Sequence, residues 1–108
     1  MAHVDFSSTA RSELRKILNG LQRRAGTPVA VNYIDAFDAA FDEIRDFPGI
    51  GAPRGKLGRG IRMLIVSPYL IVYQGGPKAK SVVVLRILHG SRRITRRAIA
   101  AGRDDPDA

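Results

Sequence analysis

The sequence predicts a single α+β domain in which a short N-terminal strand is followed by an antiparallel two-helix hairpin, and the hairpin packs on a mainly antiparallel four-stranded sheet. Three observations support this fold class. Two helical stripes of apolar residues occupy the first half of the chain, three β-rich runs occupy the second half, and a segment rich in proline and glycine separates them. A chain of 108 residues can bury one modest core but not two. We therefore expect one domain over residues 1–103 and an acidic flexible tail over residues 104–108.

The first half of the chain is predicted to form a strand and two helices. Residues 3–6 form the strand, and Ser7 or Ser8 supplies the hydroxyl that caps the helix after it. This helix ends at Gly26, and Thr27-Pro28 begins the next one with a capping hydroxyl and a proline in the first turn. Because the connection is so short, the helices form an antiparallel hairpin. Their apolar stripes are Ala10, Leu14, Ile17, Leu18, Leu21 and Ala25, then Ala30, Ile34, Phe37, Phe41 and Ile44, widened by Val31, Tyr33 and Ala40.

The second half is predicted to form a loop, three strands and a short C-terminal helix or tail. Residues 47–53 cannot continue a helix, and residues 54–60 alternate flexible and cationic positions in a basic loop. A helix is predicted over residues 95–101. The last strand is apolar on both faces, so the helical hairpin covers one face and the C-terminal segment or a partner covers the other. The strands of the meander are residues 61–66, 69–74 and 81–89, and in the last of them Val82, Val84, Arg86 and Leu88 are predicted to share a face.

Positive charge is concentrated in the second half of the chain. The formal net charge is +8, yet residues 1–46 are nearly neutral, with six Lys/Arg against seven Asp/Glu. Residues 47–103 contain twelve Lys/Arg and no acidic residue. A surface of this sign attracts nucleic acid or an acidic protein partner. The alternative is an ordinary solvated face, although such faces usually mix the two signs.

Composition also excludes several classes of protein. The absence of cysteine excludes a disulfide scaffold, a thiol nucleophile and Cys-based metal sites, and with only His3 and His89 we expect neither a metal nor a cofactor. Gly58-Arg59-Gly60 lacks the spacing of a phosphate-binding loop, which argues against nucleotide binding. No apolar run is long enough to span a membrane and no signal peptide is visible, so the sequence predicts a cytoplasmic protein that does not contact the membrane.

Three short motifs occur in a fixed order along the chain. They are Phe47-Pro48-x-x-Gly51 after the second helix, Gly60-Ile61-Arg62 followed by Tyr69-x-Ile71-x-Tyr73, and the run from Leu85 to Arg92 with its His-Gly-x-Arg ending. Together with the order of elements, they resemble the RelE/ParE superfamily of toxins over about residues 3–93. The resemblance implies a growth-arresting toxin of a type II toxin–antitoxin system. It also implies a hetero-oligomer with a cognate antitoxin, whose C-terminal segment wraps the toxin and whose N-terminal domain binds operator DNA.

The resemblance implies two possible targets. RelE-like members cut mRNA in the ribosomal A site, whereas ParE-like members inhibit DNA gyrase. Here no Tyr or Phe follows Tyr73 and no acidic residue lies between Phe47 and Arg103, so the groups that RelE-like members use on the 2′-hydroxyl are missing. This departure favours the ParE-like gyrase inhibitor, which is not an enzyme. The alternatives are a metal-independent, ribosome-dependent endoribonuclease and a non-toxic nucleic-acid-binding module.

Basic side chains supply most of the candidate functional residues. Arg62 and Arg86 both lie on predicted strands, and two like charges close together need an anion between them, such as a phosphate or an antitoxin carboxylate. Alternatively, Arg62 pairs with an acidic residue of the second helix and Arg86 has a structural partner. If the protein is a ribonuclease, the catalytic candidates are Arg62, Arg86, Lys56 and His89. The candidates for binding the target or the antitoxin are Arg54, Arg59, Arg62, Arg86, Arg92, Arg93 and Arg96.

The aromatic residues and His89 have more ordinary interpretations. His89, followed by Arg92, could serve acid–base chemistry, but a lone histidine at a strand end is more often a hydrogen-bonded turn residue. Tyr69 and Tyr73 share a face with Ile71 and are expected in the core rather than as stacking platforms.

Overall fold

A computed structural model describes residues 1–103, and the acidic tail predicted for residues 104–108 lies outside the described residues. Its elements follow the predicted order of strand, two helices, three long strands and a final helix. In chain order they are β1 (His3–Phe6), α1 (Ser8–Ala25), α2 (Thr27–Asp46), β2 (Ala52–Pro53), a 3-10 turn (Gly55–Leu57), β3 (Ile61–Val66), β4 (Tyr69–Gln74), β5 (Ser81–His89) and α3 (Arg96–Arg103). This is the α+β architecture that the sequence predicts.

The sheet contains five strands in the order β1-β5-β4-β3-β2. β1 runs parallel to β5, and the remaining neighbours are antiparallel. Sequence reasoning assigned β2 to the loop, because a two-residue strand that contains a proline has no alternating pattern to detect. Ala52 and Pro53 pair with Met63 and Arg62 at the edge of the sheet, where a proline is tolerated.

A bulge in β5 changes the predicted alternation of its side chains. Val84 pairs with Tyr73 whereas Arg86 pairs with Val72, so Leu85 is an additional residue in the register. Because directly opposed residues share a face, Val84 and Arg86 lie on opposite faces of the sheet. The prediction that they share a face is therefore wrong.

The helical hairpin begins and turns at two well-defined positions. The Ser7 hydroxyl accepts a hydrogen bond from the Ala10 amide at 3.0 Å, which confirms the predicted cap of α1. Gly26 connects the helices with a φ of 93°, a conformation that favours glycine. Gly26, not Thr27, occupies the capping position of α2, and no side-chain hydrogen bond caps this helix. The capping role predicted for Thr27 is wrong, whereas Pro28 lies in the first turn as expected.

The first hydrophobic cluster lies between the hairpin and one face of the sheet. Phe37 and Ile44 of α2 pack there with Tyr73 of β4, and Leu14, Ile17, Leu18 and Leu21 of α1 complete the contact. Tyr69 and Tyr73 are 7% and 0% exposed, which confirms their predicted place in the core. Two residues of the predicted α2 stripe are solvent-exposed instead, namely Val31 (45%) and Ile34 (39%).

The second hydrophobic cluster lies on the opposite face of the sheet, under the C-terminal helix. Ile99 of α3 is buried against Ile61, Val72 and Leu85. The backbone of α3 lies close to β5 at Gly102, where an added Cβ would be 2.3 Å from the Leu85 carbonyl oxygen. The chain's own C-terminal segment thus covers the second face, as one of the two sequence-based alternatives proposed.

Candidate functional site

Arg86 forms a buried ion pair with Glu13 of α1. Its Nε and Nη2 atoms donate to the two carboxylate oxygens at 2.9 and 2.8 Å, and its Nη1 atom donates to the Ala98 carbonyl of α3 at 2.6 Å. The two side chains are 7% and 17% exposed. This bidentate contact gives the Arg86 guanidinium hydrogen-bond partners and a counter-ion within the protein. Arg86 therefore has the structural partner that one interpretation of the sequence required.

Glu13 and Ser7 also form hydrogen bonds with backbone groups at the edge of β5. Beyond the end of β1, Glu13 Oε1 accepts a hydrogen bond from the Ile87 amide at 3.0 Å, and the Ser7 hydroxyl donates to the Leu85 carbonyl at 2.9 Å. Sequence reasoning missed this role of Glu13. The available signal was that Glu13 is the one acidic residue among the 18 residues of α1, in the position just before the apolar Leu14.

Arg62 holds the segment between α2 and β2. Its Nη1 atom donates to the carbonyls of Gly49 and Gly51 at 2.9 and 2.8 Å. Within residues 1–103, Arg62 forms no ion pair with an acidic residue of α2, as one interpretation of the sequence suggested, and two backbone carbonyls accept its hydrogen bonds instead. Arg62 is thus a structural arginine with a partly buried head group.

Tyr73 anchors the same segment from the core. Its hydroxyl donates to the Pro48 carbonyl at 2.8 Å and accepts from the Gly51 amide at 2.8 Å. Burial raises the pKa of the Tyr73 phenol above its ordinary value, while the Gly51 hydrogen bond and the charge of Arg62 act in the opposite direction. The motif Phe47-Pro48-x-x-Gly51 is therefore fixed by Tyr73 and Arg62 together.

The four candidate catalytic residues do not form one cluster. Arg62 is opposite Tyr73 and His89 is opposite Tyr69, so both lie on the face that packs against the helical hairpin. Tyr69 and Tyr73 are four positions apart on β4, roughly 13 Å along the strand. Arg86 lies on the opposite face, and the Lys56 segment is joined to α3 there. The expectation that an anion bridges Arg62 and Arg86 is wrong, because the sheet lies between them.

His89 is a turn residue at the end of β5. Its Nδ1 atom accepts from the Ser91 amide at 3.0 Å and contacts the Ser91 hydroxyl at 2.8 Å. The imidazole packs edge-on against Tyr69, with ring centroids 5.7 Å apart. These contacts agree with the hydrogen-bonded turn interpretation rather than with acid–base chemistry.

The remaining candidate cations are solvent-exposed, and four of them lie around the contact between the 3-10 turn and α3. The Arg96 Nε atom donates to the Lys56 carbonyl at 2.6 Å, and Arg59 and Arg96 line one shallow groove. Arg92 lies elsewhere, beside Lys16 of α1. We define the basic surface as Arg54, Lys56, Arg59 and Arg96, all of them exposed. Arg93 is also exposed, and the structure shows no contact that joins it to this surface.

A separate apolar groove lies between α2 and the edge of β3. β2 pairs with Arg62 and Met63, so within residues 1–103 no strand lies beside the outer side of residues 64–66. Ile65 is 68% exposed there, and Tyr33 and Ala36 of α2 line the opposite wall. An exposed apolar edge of this kind is typical of a surface that binds another chain.

Within residues 1–103, no three His, Asp or Glu side chains are grouped as metal ligands would be. Among the helices of the same region, none is both long and apolar enough to cross a membrane.

The fold and these surfaces define a small basic α+β domain in which a helical hairpin packs on a five-stranded, mainly antiparallel sheet. Comparison with known proteins gives the family. The family model described as the ParE toxin of the type II toxin–antitoxin system parDE matches residues 4–94. The chain therefore belongs to the ParE toxin family of type II toxin–antitoxin systems.

Individual relatives agree with this assignment. Toxin ParE3 of Caulobacter vibrioides is 27% identical over 90 residues, which cover 83% of this chain and 88% of the relative. Toxin ParE1 of the same organism is 28% identical over 86 residues, covering 80% and 86%. A solved structure titled as the chromosomal ParDE TA system from P. aeruginosa has a TM-score of 0.67 at 20% identity, over 82% of this chain and 96% of that chain. This last likeness shows a shared fold.

Proposed function

We propose that this ParE-family toxin arrests bacterial growth by inhibiting DNA gyrase in the cytoplasm and that a cognate antitoxin neutralises it. Membership in a type II toxin family implies the antitoxin partner. One observation favours gyrase over the ribosome: the residues that a ribonuclease would use are divided between two faces of the sheet, and two of them are engaged in structural contacts. A protein–protein inhibitor needs no such cluster.

Exposed apolar side chains support binding to a protein target and to an antitoxin. Protein interfaces gain most of their affinity from buried apolar and aromatic anchors. Phe47 is 67% exposed and Ile50 is 41% exposed on the segment that Arg62 and Tyr73 fix, and Ile65 lies beside the α2 groove. All three side chains are therefore accessible to a partner, and the segment that carries Phe47 and Ile50 is held by hydrogen bonds. Arg92 and Arg93 are also exposed, and we propose on the basis of the sequence that they contact the target or the antitoxin.

A plasmid supercoiling assay with purified gyrase and saturating toxin tests the proposed target. We expect loss of supercoiling and accumulation of linear, protein-linked DNA, and an equimolar antitoxin should prevent both effects. Normal supercoiling at saturating toxin would rule out gyrase as the target.

A second assay separates the ribonuclease alternative. A defined mRNA is translated on ribosomes in the presence of toxin, and new 5′ ends are mapped. We expect intact mRNA, whereas cuts spaced by codons that require the ribosome would establish an endoribonuclease. Substitution of Arg62 or Arg86 is a poor diagnostic for that activity, because both side chains hold the fold together.

A further inference from the structure

Hydrogen bonds and apolar packing hold the backbone beneath the basic surface formed by Arg54, Lys56, Arg59 and Arg96. The Arg54 amide donates to the Ile61 carbonyl at 2.8 Å, and the Arg59 carbonyl accepts from the Gln74 side chain at 2.7 Å. Leu57 packs in the second hydrophobic cluster with Ile99 of α3. The cations are thus presented from a fixed position, so less conformational entropy is lost when a ligand orders them.

No acidic side chain neutralises this surface within residues 1–103. The ion pairs of that region join His3 to Asp5, Arg45 to Asp42 and Asp46, and Arg86 to Glu13. None of them includes a member of the basic surface. The positive field around these exposed groups is therefore available to an anionic ligand.

The surface also lacks the large apolar side chains that anchor stable protein interfaces. The exposed large apolar side chains of the described chain all lie outside residues 54–60 and α3; they are Met1, Val31, Ile34, Phe47, Ile50 and Ile65. Stable protein interfaces are built around such anchors. Interfaces with nucleic acid are instead strongly polar and positively charged.

Single-stranded nucleic acid is an equally poor match. Its recognition depends on aromatic side chains that stack on the bases. No aromatic residue occurs between Phe47 and Tyr69 or after Tyr73, so neither the segment at residues 54–60 nor α3 offers a stacking platform. The phosphate backbone of a duplex remains as the ligand that cations alone can hold.

We propose that the basic surface binds the phosphate backbone of double-stranded DNA without sequence preference. The choice of a DNA duplex over an RNA duplex rests on the proposed function, because gyrase acts on duplex DNA. Binding of this kind is weak at physiological salt, with a Kd of roughly 1–100 µM. Its effect would be to raise the local concentration of the toxin along the substrate of its target.

Fluorescence anisotropy with a labelled 24-base-pair duplex tests the proposal on the full-length chain in the absence of gyrase. The test variant is Arg54→Gln/Lys56→Gln/Arg59→Gln, which retains Arg96 and its hydrogen bond to the Lys56 backbone. The matched control is Arg15→Gln/Arg23→Gln/Arg24→Gln on α1, which removes the same net charge from exposed positions. Both variants must retain the wild-type circular dichroism spectrum and melting temperature.

We expect the test variant to bind at least tenfold more weakly and to reduce the slope of log K against log salt by about 2–3, since each lost phosphate contact contributes roughly 0.9. The control should change the slope by less than about 1. Equal losses in both variants, no binding by the wild type in 50 mM salt, or tighter binding to duplex RNA, single-stranded DNA or a polyglutamate peptide would each overturn the proposal. A failure here leaves the gyrase assay unaffected, and a failed gyrase assay leaves this measurement unaffected.

Discussion

Removing one partner of the buried ion pair between Glu13 and Arg86 should cost a large part of the stability of this domain. Arg86 is 7% exposed on its side chain and Glu13 is 17% exposed, so neither partner can regain full hydration when the other is removed. Breaking a pair of this kind by deleting one partner typically costs about 3–5 kcal/mol. Domains of this size have a total unfolding free energy of only about 5–15 kcal/mol.

Glu13→Gln is the informative single substitution. The amide oxygen can still accept the hydrogen bond from the Ile87 amide, so the main change is a guanidinium without its counter-ion. We therefore expect the low end of the range, a loss of about 3 kcal/mol, which corresponds to a melting temperature lower by roughly 12 °C. Urea unfolding followed by circular dichroism measures the free energy of unfolding, and a thermal scan measures the melting temperature.

A double-mutant cycle with Arg86→Met isolates the pair. Replacing both partners removes the uncompensated charge, so the double variant should be more stable than either single variant, with a coupling energy of about 2–3 kcal/mol. Asp42→Asn is the matched control, because its ion pair with Arg45 is solvent-exposed and should contribute less than about 1 kcal/mol. Additive losses in the cycle, or a Glu13→Gln loss no larger than that of the control, would refute the reasoning.

Three further substitutions test how the segment between α2 and β2 is held and how α3 packs against the sheet. Tyr73→Phe should cost about 1–3 kcal/mol at neutral pH. The pKa of the Tyr73 phenol is higher in the folded protein than in the unfolded chain, so the unfolded chain ionises first as the pH rises. The free energy of unfolding of the wild type should therefore fall above about pH 10. Urea titrations of Tyr73→Phe should lack this part of the pH dependence. Arg62→Ala should cost about 1–3 kcal/mol and increase amide exchange at Gly51, whereas unchanged exchange would argue against its holding role. Gly102→Ala should lower the melting temperature by several degrees as α3 is displaced from the Leu85 carbonyl, whereas Gly55→Ala, with open space around its Cβ, should leave it unchanged.

The order of elements was predictable because each depends on a short stretch of sequence. The apolar periodicity of α1 and the cap at Ser7 are local signals. A strand that is apolar on both sides showed that the second face needs a cover, with the C-terminal segment as one of two alternatives. The edge strand β2 was not predictable, since two residues carry no periodicity. The outward position of Ile34 was missed because a helical stripe does not show how far the facing sheet extends.

The partners of the arginines were unpredictable for a different reason. One additional residue at Leu85 reverses the face of every later side chain in β5, and sequence alternation alone cannot locate such a bulge. The pairing of Arg86 with Glu13 also joins positions 73 residues apart. Arg62 binds backbone carbonyls, which have no signature in the sequence at all.

The arginines of the second half therefore serve two separate purposes, and charge counting alone treats them as one. Arg62 and Arg86 are engaged within the fold, while Arg54 and Arg59 keep their side chains exposed. A growth assay that replaces each arginine in turn would register a loss of toxicity for both groups. Only the first group should also lower the melting temperature, because an exposed cation makes little contribution to stability. Toxicity measured together with the free energy of unfolding is thus the comparison that separates residues that contact a target from residues that maintain the structure.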